Sequence, residues 1–540
     1  YGVQTLRQLL PPQIYSTEKQ NIKWRVPGCL IKDKPRFSWR AVMLDDSRQF
    51  FGKDYVKKFI DRMAVHKFNI FQWHLTDDDA WRIEIKKYPK LTEKAAFRGP
   101  NETLPGRYGH ENQRYGGFYT QEDIKEIVAY AAARHVTIIP EIDLPAHSKA
   151  IMIAYPELVD DPNDKSQYTS VQGVKNNVVN PGLESTYTFI ENVLSEVSSL
   201  FPSQYIHVGG DERPKGSWEN SPAVHQLMKK HNLKDYHSVQ AYFFKRVEKI
   251  LKKKNKKMIG WQEIKEGAQL SKDTAIMSWQ STHAGIKAAR NGNYTIMSPA
   301  QYTYIDLVYN NDPAEPGLRW AGTLSTKKAY SYNPIPQNLP KNKRKFILGV
   351  SSCLWGETLT KQGLSADYMA FPRLCSIAEV SWTSAYRKNW SRFKKTLYNQ
   401  HLQRLDHLKV KYRIPQPKAY LHKGIVKFSH RSKVHQLRYT LNNYEPTVSS
   451  KLYSKPFPLP SNASLKIKAF SINGHSSRTT EGLEASEIAE WTPKDIAPTY
   501  QKWNIPTDNI FNGPGIHNIT FLYDRGRTRL DINKLELLEN

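Results

Sequence analysis

From about residue 36 to residue 415, short apolar or β-branched runs alternate with segments whose apolar residues recur at helical spacing. The runs predicted as strands are 38–45, 68–74, 136–143, 205–209, 257–261, 275–279, 294–297 and 346–350, with helices such as 121–134 and 238–254 between most of them. Eight strand-then-helix units predict an α/β fold, a closed (β/α)₈ TIM barrel rather than an open sheet. Beyond residue 415 the helical period fades and alternating strands begin. Turn signals at Asn442-Asn443 and Pro460-Ser461 suit short antiparallel strands. The expected boundaries are 1–34, a remnant of a preceding α/β domain with a linker; 35–415, the barrel; 416–480, an immunoglobulin-like module; and 481–540, a β-sandwich-like tail.

In barrels of this kind the chemistry sits where strands end and lead into helices. Arg48 follows the first predicted strand, Asp77 the second, His147 the third, and Asp211-Glu212 the fourth. Trp261 and Trp279 end the fifth and sixth, Tyr304 and Asp306 follow the seventh, and Trp355 and Glu357 the eighth. Carboxylates, an arginine, a histidine and three tryptophans converging on one end describe a polar pocket with aromatic walls. A sugar needs such a site: its hydroxyls take charged or bidentate partners, and its C–H faces pack on indole rings. No glycine-rich phosphate loop and no His/Cys cluster with zinc spacing is present, so neither a cofactor nor a metal is expected.

Charge changes this picture little. The formal net charge is +28, which a nucleic-acid binder could also show. The charge is dispersed, however, and its densest run, 252–257 (KKKNKK), ends an amphipathic helix, where a solvated helix end is the simpler reading. A basic surface could instead attract polyanionic glycans. No run of about 18 apolar residues occurs, so no membrane span is expected. The three cysteines, Cys29, Cys353 and Cys375, form no disulfide framework, and the last two fall in apolar patterns.

The segment His207-Val208-Gly209-Gly210-Asp211-Glu212 resembles the H-x-G-G-D-E signature of the β-N-acetylhexosaminidases of glycoside hydrolase family 20. DDSRQFF, NIFQWHLTDDDAWRIEIKKYPKL, YAAARHVTIIPEIDLPAHS, GWQEI, MSWQ, YTYID and GVSSCLWGE resemble family segments in the family's order, and the likeness runs from about residue 1 to 415. The resemblance implies a retaining exo-glycosidase acting on glycans that end in N-acetylhexosamine. Most glycosidases flank the scissile bond with two carboxyls, a disposition that adjacent residues at one strand end cannot easily reach. This family is an exception, because the 2-acetamido oxygen of the substrate is the nucleophile.

By that resemblance Glu212 is the general acid/base, Asp211 orients the acetamido group, and Tyr304 donates to its carbonyl oxygen. Asp77 and His147 form a dyad behind Glu212. Arg48 is expected to grip the hydroxyls at positions three and four, Asp306 and Glu357 those at four and six, and Trp261, Trp279 and Trp355 to wall the pocket. A sulfate at position six should be repelled by Asp306 and Glu357. Burial and an ionised Asp211 are expected to push the pKa of Glu212 upward.

Three positions depart from the family pattern. Ala146 and Ala80 stand where glycine is usual, and Asp46 where the residue is usually apolar or small. The first nine residues resemble the end of the α/β domain that precedes the barrel in this family, and 435–480 the small domain that closes chitobiases. A secreted, periplasmic or cell-surface location is expected from where such glycans occur. Two other readings stand beside this one: an idle glycan-binding protein on the same barrel, and a nucleic-acid binder, which leaves the H-x-G-G-D-E constellation unexplained.

Overall fold

The computed structural model describes residues 1–267, 270–360 and 364–483. They divide into two compact units, one of 1–397 with 410–413 and one of 398–409 with the residues from 414 onward.

In the first unit eight parallel strands close a barrel: β1 (Trp39–Asp45), β2 (Ile70–His74), β3 (Thr137–Leu144), β4 (Tyr205–Gly209), β5 (Lys257–Trp261), β6 (Ala275–Ser278), β7 (Thr295–Met297) and β8 (Ile347–Leu354). Each strand pairs with the next, and β8 closes on β1 through Met43 opposite Cys353. β8 runs four residues past the predicted end. Ser351 and Ser352 look like a strand terminus in the sequence, yet both are buried, and Ser352 Oγ donates to the Thr303 carbonyl at 2.7 Å. Partnered inside the barrel, the Ser352 hydroxyl costs the strand little, whereas Ser351 Oγ is buried with no hydrogen-bond partner among the described residues.

Alternation along the strands sorts the side chains. On β2, Phe71 and Trp73 face outward, Phe71 with its ring 6.1 Å from Phe59 of the helix Lys53–Val65 and Trp73 4.7 Å from Tyr119. Gln72 and His74 take the alternate positions inside. Register then places Asp45 beside His74, His74 beside Glu141, and Glu141 beside His207. A layer of charge therefore lies across the barrel under the strand ends. The surrounding helices are started by local hydrogen bonds: Thr120 and Asp123 form a reciprocal cap before Gln121–Ala132, as do Asp235 and Ser238 before Tyr236–Lys253.

The segment before β1 carries a helix, Gly2–Leu9. It is tied to the barrel by Tyr1, whose hydroxyl accepts from Arg40 at 2.7 Å and whose ring meets Trp382 edge-on.

In the second unit, β9 (Lys418–His422), β10 (Ile425–Ser429) and β13 (Phe457–Pro458) form one antiparallel sheet. A second is built from β12 (Lys451–Leu452), β11 (Gln436–Thr440), β14 (Lys466–Phe470) and β15 (Thr480–Glu481) in that order. Their inner faces share a core of Ala419, Val426, Phe428, Tyr439, Leu465 and Ile467, as the period of two requires. The tail expected as a further β-sandwich lies, from residue 484 on, outside the described residues.

Candidate active site

The eleven residues singled out in the sequence form one connected constellation at the C-terminal ends of the strands. Its centre is His147. The imidazole Nδ1 lies 3.1 Å from Asp77 Oδ1, and its Nε2 is 3.8 Å from Asp211 Oδ2 and 3.6 Å from Glu212 Oε2. Asp77 comes from a hairpin, Thr76–Asp77 against Ala80–Trp81, that caps β2. It also pairs with Arg48 at 2.8 Å and with His74 at 3.0 Å.

Two glycines bring Asp211 and Glu212 to this position. A Cβ on Gly209 would lie 2.3 Å from Asp143 Oδ1, and one on Gly210 would lie 2.1 Å from Ile264 Cγ2; both residues have positive φ, +66° and +103°. Only glycine meets both demands, so the Gly-Gly pair is the steric condition for turning the two carboxylates out of β4.

The ionisation of the pair differs from the expectation. Burial does push the Glu212 carboxyl up, but hydrogen bonding and charge from His147, then the amide of Gln172 and the charge of Arg48, outweigh it and hold Glu212 below its ordinary value. Asp211 is the raised member, at about 6, chiefly through burial and with help from Glu212 and Glu141 against the pull of His147. The resemblance put His147 and Asp77 behind Glu212, but it did not give the charge that the imidazole carries there. Burial penalises the imidazolium of His147, but Asp77 and Asp211 overcome that and keep it charged.

Arg48 is more constrained than a free sugar ligand would be. It is buried and spans Asp45 at 3.0 Å and Asp77 at 2.8 Å, with Asp79 and Glu357 at 3.6 and 3.8 Å from its Nε. That Nε has no hydrogen-bond partner among the described residues. Glu357 Oε2 and both oxygens of Asp306 are likewise buried and unpartnered, and burial raises both carboxyls, Asp306 strongly. Unpaired buried acceptors of this kind call for a ligand that supplies hydroxyl donors.

The aromatic residues line the other side. Trp355 lies 5.9 Å from Trp261 and 6.0 Å from Tyr304, with Arg48 over its ring at 5.1 Å. Trp279 stacks on Tyr304 at 6.4 Å with an interplanar angle of 13°. Trp261 is almost wholly buried and donates to Glu141 at 3.0 Å, while Trp279 donates to Glu263 at 3.0 and 3.1 Å. Burial keeps the Tyr304 hydroxyl protonated far above its usual range, with nearby Cys353, Asp211 and Asp306 adding to the effect. It is therefore a dependable donor.

Several members were not singled out from the sequence. Glu141 collects Gln72, His74, His207 and Trp261 within 2.7 to 3.1 Å. His74 extends the chain of alternating acid and imidazole one step behind Asp77. Gln172 donates to Glu212, Glu263 holds Trp279, and Trp320, more than half exposed, meets Trp279 and Tyr304 edge-on. For Glu141, His74 and His207 a signal existed: polar residues at alternate positions of strands buried on both faces. Gln172 and Trp320 sit in irregular segments, where no period marks them.

Of the departures, Asp46 is a loop anchor. It accepts from Trp73 Nε1 at 2.7 Å, the Phe51 N–H at 2.8 Å and Tyr119 at 2.8 Å. Ala80 and Ala146 are buried, and the Ala80 carbonyl accepts from Ser47 at 2.8 Å.

A closed parallel barrel whose strand ends carry paired carboxylates, unpartnered acceptors and indole walls has the architecture of a carbohydrate-active protein. Residues 37–385 match the model of the glycosyl hydrolase family 20 catalytic domain, and residues 415–481 match that of the chitobiase/beta-hexosaminidase C-terminal domain. A beta-hexosaminidase of Porphyromonas gingivalis is 39% identical over 88% of this chain and 61% of its own length. One of Vibrio furnissii is 46% identical over 65% of this chain and 58% of its own. Among solved structures, the GH20 exo β-N-acetylglucosaminidase of Vibrio harveyi in complex with N-acetylglucosamine is 42% identical with a TM-score of 0.72, covering 76% of this chain and 64% of that one. The chain belongs to glycosyl hydrolase family 20. It spans about three fifths of the length of these relatives.

Proposed function

We propose that the protein is an exo-acting, retaining β-N-acetylhexosaminidase that releases terminal non-reducing N-acetylglucosamine or N-acetylgalactosamine by substrate-assisted catalysis. The observation that carries this reading is the placement of Asp211 and Glu212 on one imidazole at the mouth of the barrel. Adjacent carboxylates can serve the acetamido group and the leaving oxygen of one sugar, but not opposite faces of its ring. The pocket's unpartnered acceptors on Asp306 and Glu357 support engagement of a chain end, hence exo action, and oppose an anionic group at position six.

In the first step the acetamido carbonyl oxygen attacks C1 while Glu212 gives its proton to the departing glycosidic oxygen. Asp211 accepts from the acetamido N–H and Tyr304 donates to the carbonyl oxygen, which fixes the nucleophile in line. In the second step Glu212 takes a proton from water, and the resulting hydroxide attacks C1 of the oxazolinium ion, breaking its C1–O bond and restoring the acetamido group with overall retention.

The resting ionisation fits this sequence once substrate enters. A donated N–H stabilises the charged form of Asp211 and lowers its proton affinity. The full charge then beside Glu212 raises the proton affinity of Glu212, so the proton resides where the leaving group needs it. Glycans of this class lie outside the cytoplasm, and a secreted, periplasmic or cell-surface enzyme is the matching proposal.

The test is hydrolysis of chromogenic β-N-acetylglucosaminide and β-N-acetylgalactosaminide by the parent and by Glu212→Gln. Turnover by the parent with a loss of about 10²-fold or more in the variant is expected for a general acid. A folded parent that is inert to both sugars between pH 4 and 8 would sink the reading.

A further inference from the structure

One oxygen of the Glu212 carboxyl is already engaged by a neighbouring side chain. Gln172, in the irregular segment after β3, donates from Nε2 to Glu212 Oε2 at 2.7 Å, and this is the same oxygen that His147 Nε2 approaches at 3.6 Å. The backbone carrying Gln172 is fixed in turn. Arg107 Nη2 donates to the Gln172 carbonyl at 2.6 Å, and Arg107 Nη1 pairs with Asp79 at 3.2 Å. Two segments that follow different strands thus meet to place one amide on one carboxylate. Within that amide Oε1 is buried and has no hydrogen-bond partner among the described residues.

We propose that Gln172 is a positioning residue for the general acid, clamping Glu212 in the empty site and being displaced from Oε2 when the leaving group arrives. The proposal rests on the hexosaminidase reading. An amide N–H donated to a carboxylate favours its charged form and fixes its rotamer. When Glu212 carries its proton on Oε2, that oxygen is a much weaker acceptor than a carboxylate oxygen, so the hold of the amide loosens as the O–H turns toward the glycosidic oxygen. The freed amide, with the two N–H groups of Nε2 and the oxygen Oε1, then offers both donors and an acceptor to hydroxyls of the leaving sugar.

Other groups set the background against which Gln172 acts. Asp211 stands beside Glu212 at the end of β4. His147 faces it from beyond β3, with Asp77 behind His147 and Arg48 from beyond β1. Glu263, beyond β5, and Glu141, in β3, act on Asp211 rather than on Glu212 directly. None of these changes when residue 172 is replaced, so the effect of the amide can be isolated.

The experiment compares the parent with Gln172→Leu and Gln172→Glu, using a chromogenic β-N-acetylglucosaminide between pH 4 and 9. Gln172 is half-buried in a loop, and equal melting temperatures verify that both variants fold. The alkaline limb of kcat/KM reports the free enzyme. It should move to higher pH by about half a unit or more in Gln172→Leu, which lacks the donor, and further in Gln172→Glu, which adds a like charge. The alkaline limb of kcat reports the complex, where the amide has already left, and should move less than half as far. Coincident kcat/KM limbs, or an order other than Gln, Leu, Glu, would overturn the clamp. Limbs of kcat and kcat/KM that move together would overturn the displacement. Turnover by the parent with either of these results leaves the hexosaminidase reading standing, whereas an inert parent removes both.

Discussion

His147 Nε2 stands 3.8 Å from Asp211 and 3.6 Å from Glu212, so one buried imidazole faces two carboxylates that follow each other in the chain. Held as a cation by Asp77 on its other nitrogen, it lowers the proton affinity of both, but Asp211 is buried deeply enough to titrate near 6 all the same. Proton placement within the pair is therefore set by what binds there, and this makes the surrounding groups measurable.

Replacing Asp77 by Asn removes the charge that sustains the imidazolium and offers Arg48 and His74 a neutral partner. We expect kcat/KM to fall by roughly 10²-fold, in the range of general acid–base contributions. The pH optimum should shift as well, because Glu212 then faces a His147 with less reason to be charged. An unshifted pH profile would reduce Asp77 to a packing role.

Tyr304→Phe deletes a hydroxyl that stays protonated throughout the working range. In the proposed mechanism this donor serves the acetamido oxygen that becomes the nucleophile, so its loss should appear in kcat, by about 10²-fold on the scale of fixed hydrogen-bond donors. A rise in KM with kcat intact would assign Tyr304 to binding alone.

Asp306 carries two buried oxygens without hydrogen-bond partners among the described residues. Asp306→Asn should raise KM by about 10-fold or more, since hydroxyl donors from the sugar would draw the raised carboxyl into its charged form, and hydrogen bonds to a charged group contribute ~1.5–3 kcal/mol. The same change should leave the free protein as stable or more so, because it removes a carboxyl that burial penalises. Loss of stability without change in KM would contradict this assignment.

Stability should fall as pH rises above about 5. Asp46, Asp79 and Asp211 are raised from 3.8 to about 6 and Glu263 from 4.5 to about 8, in each case first by burial. Each binds its proton more tightly folded than unfolded, so its contribution is complete below the unfolded value and is lost as pH climbs through the folded one. His74 and His147, also raised, act in the same sense. Asp77 and Glu141 are lowered and act oppositely, losing their contribution as the solution becomes acidic. Thermal unfolding at pH 5.5 and 8.5 should show the lower melting temperature at 8.5, and Glu263→Gln should flatten the decline above pH 6. A flat profile in the parent would refute the assignment.

The alternation of apolar runs with helical periods determined the barrel by itself, because each strand buried on both faces and each one-sided helix leaves that trace in the chain. Strand ends pointed to eleven candidate residues, which closure of the barrel brings together, since βα-loops are where a parallel barrel can present polar groups. The signal failed where burial and polarity coincide. Ser351 and Ser352 read as the end of a strand that continues to Leu354, His74 and Glu141 were hidden inside strands that are otherwise apolar, and His207, though named in the H-x-G-G-D-E segment, gave no sign that it faces Glu141.

What the fold alone decided is which charges meet. Glu212 is separated from His147 by 65 positions and from Gln172 by 40, and no local pattern relates them. Proton affinity depends on distances of a few ångströms through a medium of low polarity, and those distances exist only after closure of the barrel. The types of acid and base present were therefore legible in the chain, whereas the resting ionisation of Asp211 and Glu212 followed from tertiary contacts.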